Sequence, residues 1–290
     1  MELLMLCAGA AMKSWNGPDI DRPLRNKGKR QAQKIGTWMA GNGLKPDMTI
    51  TTSALRAQVT AEKALKAAGW TARNITLSAE LSDGHVPELP KEGRPLLVGL
   101  AGQLREVLRK MGLDADPGPG VFLWLSQENG DTRLVKRVDP KDLPDLFPYP
   151  TPNGSDQRER PAYYYTQSSV VPFRRTGGGT EILIVGSSGG SRWVVPKGIV
   201  EPGLGPAASA MNEALEEAGV KGTVGTAPLG TYAYEKWGAT CEVTVYSMEV
   251  TEILPDDAWE EKHRTRRWVS PEDAASLLHQ TALKALVTKV

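Results

Sequence analysis

Apolar positions along the chain recur with two different periods, and the changes of period mark out elements. Residues 3–6 are an unbroken apolar run, which predicts a buried first strand. Residues 26–42 place Ala32, Ile35, Trp38 and Met39 on one side of a helix. Residues 48–52 predict a second strand, 54–68 a helix, 95–98 a third strand and 100–111 another helix. Residues 121–126 and 132–137 predict paired strands around a Glu128-Asn129-Gly130-Asp131 turn. Strands alternating with helices imply an α/β sheet with helices on its faces.

The pattern breaks at residues 140–161, which are rich in Pro, Asp, Asn and Gly. Pro148, Pro150 and Pro152 forbid a continuous helix and predict an extended connector. The expected organisation is therefore a domain over 1–147, a linker over 148–162 and a second domain over 163–290. In that second half, 168–174 and 181–185 predict strands joined by a turn at Gly177-Gly178-Gly179. Residues 220–233 and 240–250 contain further strand. Ser270, Pro271 and Asp273 occupy the N-cap, first and third positions of a helix, and 281–288 predicts a last one.

Residues 198–220 carry the densest signal. Gly198, Pro202, Gly203, Gly205 and Pro206 make a tight loop, and Gly219 stops the helix that follows. At about 100° per residue, Ala207, Ala208, Met211, Ala214, Leu215 and Ala218 gather on one side. Glu213, Glu216 and Glu217 gather on the other, at neighbouring helical spacing. Like charges so placed repel. On pattern alone they are a solvated face or a site for a hard divalent cation such as Mg²⁺.

Composition narrows the classes. A net charge of +1 gives no general field for nucleic acid or an anionic membrane. Cys7 and Cys241 do not form a disulfide framework, so a reducing, cytoplasmic setting is expected. No apolar run approaches the roughly 18 residues of a membrane span.

The string from Gly198 through Glu213, Glu216, Glu217, Gly219 and Val220 resembles the Nudix (MutT-like) box over its full loop-helix-loop length. Arg192-Trp193-Val194-Val195-Pro196-Lys197 is similar to the usual approach to it. The resemblance implies an α/β/α sandwich with a mixed sheet and Mg²⁺- or Mn²⁺-dependent hydrolysis of a diphosphate linked to another moiety. It implies Glu213, Glu216 and Glu217 as catalytic metal ligands, with the Gly198 carbonyl as a further one. Two positions depart: Leu204 replaces the first glutamate and Asn212 the arginine before the helix glutamates. Within the family, Glu216–Gly222, Trp259-Glu260 and Arg266–Val269 look like the diphosphoinositol polyphosphate and dinucleoside polyphosphate branch. That implies a phosphorylated small-molecule substrate, gripped by Arg174, Arg175, Arg192 and Lys197. The base is left open among the box glutamates and Glu260 or Glu261. Trp193, Tyr232, Tyr234 and Trp237 are either stacking surfaces or core.

The first half resembles the histidine phosphatases, SixA-like, through residues 1–6, Lys13-Ser14-Trp15, Arg22-Pro23-Leu24, Lys27–Arg30 and Ser53–Thr60. The family's Arg-His pair is here Cys7-Ala8, and its second histidine is Leu100. Alanine and leucine supply neither nucleophile nor cation, so a pseudo-phosphatase is expected. Arg56 keeps a family position, either for an anion or for a structural ion pair.

Overall fold

Leu3, Leu4, Met5 and Leu6 are all fully buried. A strand achieves this only where both faces of its sheet are covered. The computed structural model describes residues 1–128 and 130–290. It divides into two units, Met1–Pro161 and Ala162–Val290.

The first unit runs β1 (Glu2–Cys7), α1 (Asn26–Gly41), β2 (Met48–Thr51), α2 (Leu55–Ala67), β3 (Ile75–Leu77), α3 (Ala79–Ser82), β4 (Pro95–Gly99), α4 (Ala101–Lys110), β5 (Phe122–Glu128), β6 (Asp131–Val138), β7 (Phe147–Thr151) and β8 (Gly154–Arg158). Its main sheet has the order β3-β2-β4-β1-β5-β6. The first four strands are parallel and the last two antiparallel. Ile35 and Met39 of α1, with Ala57, Ala61 and Ala64 of α2, bury one face against Leu4, Leu6, Leu96 and Val98. Leu104, Val107 and Leu108 of α4 bury the other against Leu3, Met5 and Leu97. Burying any one of these large side chains stabilises by about 1.5–3 kcal/mol. Of the expected 128–131 turn, Asn129 lies outside the described residues; its flanks Glu128 and Asp131 are paired.

The connector expected over 148–162 is instead a two-stranded hairpin, β7 with β8, and the unit boundary falls at 161/162. Prolines exclude a helix but are tolerated in a strand with a free edge, and Pro148 and Pro150 both point outward. Phe147 is buried beneath the Arg30 guanidinium, and Arg158 lies 3.3 Å over the Tyr149 ring.

The second unit runs β9 (Thr166–Thr176), β10 (Gly179–Gly186), β11 (Trp193–Val194), β12 (Lys197–Ile199), α5 (Pro206–Ala218), β13 (Val220–Val224), β14 (Gly230–Lys236), β15 (Ala239–Ile253), β16 (Arg266–Val269), α6 (Pro271–Leu277) and α7 (Thr281–Val287). The sheet is mixed: β9 pairs β15 in parallel, while β10, β12, β13, β14 and β16 join antiparallel. Ala210, Ala214 and Ala218 of α5 bury against Val170, Leu183, Val185 and Met248 on one face. Ala274 of α6 and Leu283, Leu286 and Val287 of α7 bury against Val171, Ile182, Ile184 and Val245 on the other. This is the expected α/β/α sandwich. The Ser270 hydroxyl caps α6 by accepting from the Asp273 N–H at 3.1 Å. Among the described residues no helix is long and apolar enough to cross a membrane.

Candidate active site

Helix α5 starts at Pro206, whose missing N–H costs nothing at a first helical position. It ends at Gly219, which takes the left-handed conformation at φ 61° and ψ 37°. A side chain there would also meet the Trp259 ring, 2.6 Å from its Cγ. The face that α5 buries overlaps the expected one at Ala214 and Ala218 but is rotated away from Met211. Met211 is 40% exposed, and the buried positions are Ser209, Ala210, Ala214 and Ala218. Small alanines let the helix backbone lie close to β9, β12 and β13. Glu213 and Glu217, which flank that alanine stripe, are therefore half-buried beside the sheet, and Glu216 alone faces solvent.

Strand β12 supplies the opposite wall. It hydrogen-bonds β9 in register, Lys197 with Ser169 and Gly198 with Ser168. The Lys197 N–H donates to Glu217 Oε2 at 3.0 Å. A methyl group at Gly198 would fall where the Glu213 carboxylate lies. The absence of a side chain is what lets this carboxylate approach the strand. The Lys197 ammonium donates to Tyr234 Oη at 3.3 Å and Gln167 Oε1 at 3.5 Å, and Tyr234 Oη donates to the same Gln167 oxygen at 2.8 Å.

The segment from Leu254 to Thr265 closes the third side. The Leu254 N–H donates to the Gly219 carbonyl at 2.8 Å and the Glu261 N–H to the Glu216 carbonyl at 3.1 Å. Arg264 Nη2 donates to Glu217 Oε1 at 2.7 Å, and its Nε donates to Glu261.

Charge is unbalanced here. Among the described residues, Glu217, Glu216 and Glu261 crowd Glu213, and Glu260, Glu201, Glu261 and Glu217 crowd Glu216, while Lys197 and Arg264 oppose them. Burial, then Glu217, Glu216 and Glu261, push the Glu213 carboxyl up to about 8. Burial raises Glu217 as well, against the pull of the Lys197 N–H and Arg264. Burial and then Glu260 raise Glu216. Burial lowers the Lys197 ammonium, opposed by Glu217 and Glu213. Among the described residues no three His, Cys, Asp or Glu side chains are placed to hold a metal ion together. The donor set nonetheless suits a hard cation: carboxylate oxygens in excess, partly desolvated, beside a bare glycine backbone.

The structure brings Glu213 and Glu217 against Lys197 and Gly198, while Glu216, exposed to solvent, is linked to them only through its charge. It does not bring Arg174 and Arg175 to them. These lie five or more residues along β9 from Ser169, roughly 16 Å or more for an extended chain. Arg174 pairs with Glu181 at 2.7 Å and stacks on Trp268, and Arg175 pairs with Glu249 at 3.5 Å. Arg192 is exposed in the turn before β11, its carbonyl accepting from the Ser187 N–H. Sequence reasoning missed Gln167 and Arg264. The signal for Arg264 was available: α5 contains no Lys or Arg, so its carboxylates need a cation from elsewhere.

In the first unit, the ends of β1 and β4 border a cavity of about 230 Å³ lined by Cys7, Ala8, Ala10, Arg56 and Leu100. Arg56 is engaged by Asp19, through its carboxylate at 2.6 Å and its carbonyl at 2.5 Å, so it forms the structural ion pair. Burial pushes the Cys7 thiol up to about 12, which leaves it neutral.

The NUDIX domain family matches residues 165–289. Diphosphoinositol polyphosphate phosphohydrolase 3-beta of Bos taurus is 41% identical over 102 residues, covering 34% of this chain and 60% of the relative. Diphosphoinositol polyphosphate phosphohydrolase 2 of Rattus norvegicus is 42% identical over 102 residues, covering 34% and 54%. The chain thus spans only a little over half the length of these curated relatives. Among solved structures, the C. elegans Ap4A hydrolase is 26% identical with a TM-score of 0.37, covering 43% of this chain and 94% of that one. The first unit is similar in fold to the protein histidine phosphatase SixA complexed with tungstate, at 14% identity and a TM-score of 0.42, covering 49% of this chain and 99% of that one. Residues 165–289 thus match the NUDIX domain family, with the loop-helix-loop site inside the matched stretch.

Proposed function

We propose that the second unit hydrolyses a phosphoanhydride bond in nucleoside or dinucleoside polyphosphates, with Mg²⁺ or Mn²⁺ as cofactor. The observation that carries the reading is the gathering of Glu213 and Glu217 against Lys197 and Gly198, with carboxylates in excess of cations. Glu213, Glu216, Glu217 and the Gly198 carbonyl would hold the ion. When bound, it supplies neutralisation of the diphosphate oxygens and acidification of an attacking water.

The chain's own groups do the rest. Lys197, half-buried and aligned by Gln167 and Tyr234, presents its ammonium to the phosphate oxygens. Its backbone N–H and Arg264 fix the two oxygens of Glu217, so that carboxylate cannot rotate during the reaction. A carboxylate of the cluster, Glu213 or one of Glu260 and Glu261, accepts the proton of the attacking water. Arg174 and Arg175 are no longer part of the grip. Their loss favours a short polyphosphate chain over a substrate carrying phosphates on every side.

The names of the curated relatives favour a second reading, a diphosphoinositol polyphosphate substrate. The test is turnover by the full chain on both substrate sets, with Mg²⁺ or Mn²⁺, products resolved by ion-exchange chromatography. Metal-dependent cleavage of dinucleoside polyphosphates at least about tenfold faster is expected, roughly 1.4 kcal/mol in barrier. The reverse order moves the assignment to the second reading. Binding without turnover on any member sinks the hydrolase and leaves a non-catalytic phosphometabolite sensor or scaffold, degenerate in both units.

A further inference from the structure

Helix α5 carries three carboxylates and no basic residue, with Asn212 immediately before the first of them. A partly buried carboxylate without a nearby cation either takes up a proton or turns toward water. The two oxygens of Glu217 are instead held from two directions, by the Lys197 N–H and by Arg264.

Arg264 reaches from a segment 47 residues further along the chain. Its side chain is only 6% exposed. Nη2 donates to Glu217 at 2.7 Å and to Ser188 Oγ at 3.0 Å, Nη1 to the Gly186 carbonyl at 3.3 Å, and Nε to Glu261. One planar guanidinium thus joins three segments: the end of β10, helix α5 and the loop before β16. Only arginine has the donor count and fixed fork for this; an ammonium is a point charge on a flexible stem.

We propose that Arg264 is a positioning residue for the carboxylate cluster, holding Glu217 against β12 and fixing Glu261 beside it, in place of any cation from α5 itself. The proposal rests on the hydrolase reading for its consequence in rate, but its geometric content stands separately. It assigns Arg264 no contact with substrate. It predicts that replacing the guanidinium lowers kcat and leaves KM nearly unchanged, since Lys197 still grips the phosphates.

The test uses the full chain carrying Arg264→Lys, which keeps the charge, and Arg264→Gln, which does not. Two readouts are taken: steady-state kinetics with Mg²⁺, and amide hydrogen exchange of residues 197 and 254–265 without any substrate. Expected are a kcat drop of about tenfold for lysine and a hundredfold for glutamine, with KM within threefold. At least tenfold faster exchange is expected at the Lys197 amide, whose acceptor is Glu217, in both variants. A lysine variant with wild-type kcat and wild-type protection at Lys197 overturns the proposal. So does a loss confined to KM. Should Arg264→Gln fail to fold, the lysine variant alone decides. If the wild-type chain turns over no polyphosphate, the hydrolase reading falls, while unchanged or faster exchange at Lys197 still decides whether Arg264 positions Glu217.

Discussion

Arg56 and Arg264 are both largely buried arginines joined to carboxylates, one in each unit, and their surroundings differ in kind. Arg56 faces Asp19 and a cavity lined by Cys7, Ala8 and Leu100, with no further acid or histidine among the lining residues. Its side-chain hydrogen bond holds the Asp19 carboxyl below the ordinary range. Arg264 faces Glu217 and Glu261 within a group whose helix carboxyls are all pushed upward. At the first site the arginine's charge is met by the Asp19 carboxylate. In the second, acids outnumber cations and the surplus is held in place by backbone and side-chain contacts. An unpaid electrostatic surplus is what separates a site with chemistry left in it.

The comparison breaks most sharply on turnover. Glu217→Gln keeps the shape of the side chain but removes its charge and half its acceptor capacity. A thousandfold drop in kcat is expected, about 4 kcal/mol of barrier. Arg56→Ala in the same assay should stay within twofold, because Arg56 serves only its own ion pair. Arg56→Ala costing more than tenfold would mean that the first unit takes part in the reaction, and the division drawn here would fail.

A smaller effect is expected from Gly198→Ala. The new methyl displaces the Glu213 carboxylate, which is the free end of a flexible side chain and can swing aside. Folding should be nearly untouched, with the melting temperature moving by less than about 2 °C, equivalent to half a kcal/mol or so. Turnover should fall about thirtyfold, near 2 kcal/mol, because one carboxylate is misplaced. Wild-type kcat in this variant would show that the contact between Glu213 and β12 is incidental. In the first-unit cavity, Ala8→Gly should leave turnover unchanged, whatever it costs in melting temperature.

These residues also show what could and could not be read beforehand. Helix α5 and its stop at Gly219 were legible, since helical spacing and a left-handed glycine are local properties of the chain. The orientation of that helix was not. Met211 outweighs Ala210 in any hydrophobic pattern, yet the sheet selects small side chains because they permit close approach, and Met211 turns outward. Arg174 and Arg175 looked available for phosphate because charge at strand ends has no local partner; their partners, Glu181 and Glu249, are cross-strand. The hairpin over 147–158 was hidden by its prolines, which rule out a helix but not an edge strand. That α5 needs a cation from elsewhere was legible, but not that Arg264 supplies it, since an ion pair across 47 residues leaves no periodic trace.

The gentlest way to probe the contrast is pH, through the coupling of the Glu213 proton to stability. Its folded carboxyl lies near 8, above the ordinary 4.5. The folded state therefore holds a proton that the unfolded chain releases, and without a divalent ion stability falls as pH rises from about 4.5 to about 8. Solvent screening at this half-exposed group reduces the effect to about 1–2 kcal/mol. A divalent cation competes for the same oxygens. Its stabilising effect should be small at pH 6, where it must displace the proton, and larger at pH 8.5, where the proton is already gone. The expected difference in Mg²⁺-induced melting shift is about 3–6 °C for a unit of this size, read by differential scanning fluorimetry. Asp19, shifted downward by Arg56, has already lost its proton throughout this window and contributes nothing to the difference. Equal shifts at both pH values would mean that the ion does not compete for the Glu213 oxygens, and the excess of acids around α5 would have to be explained without it.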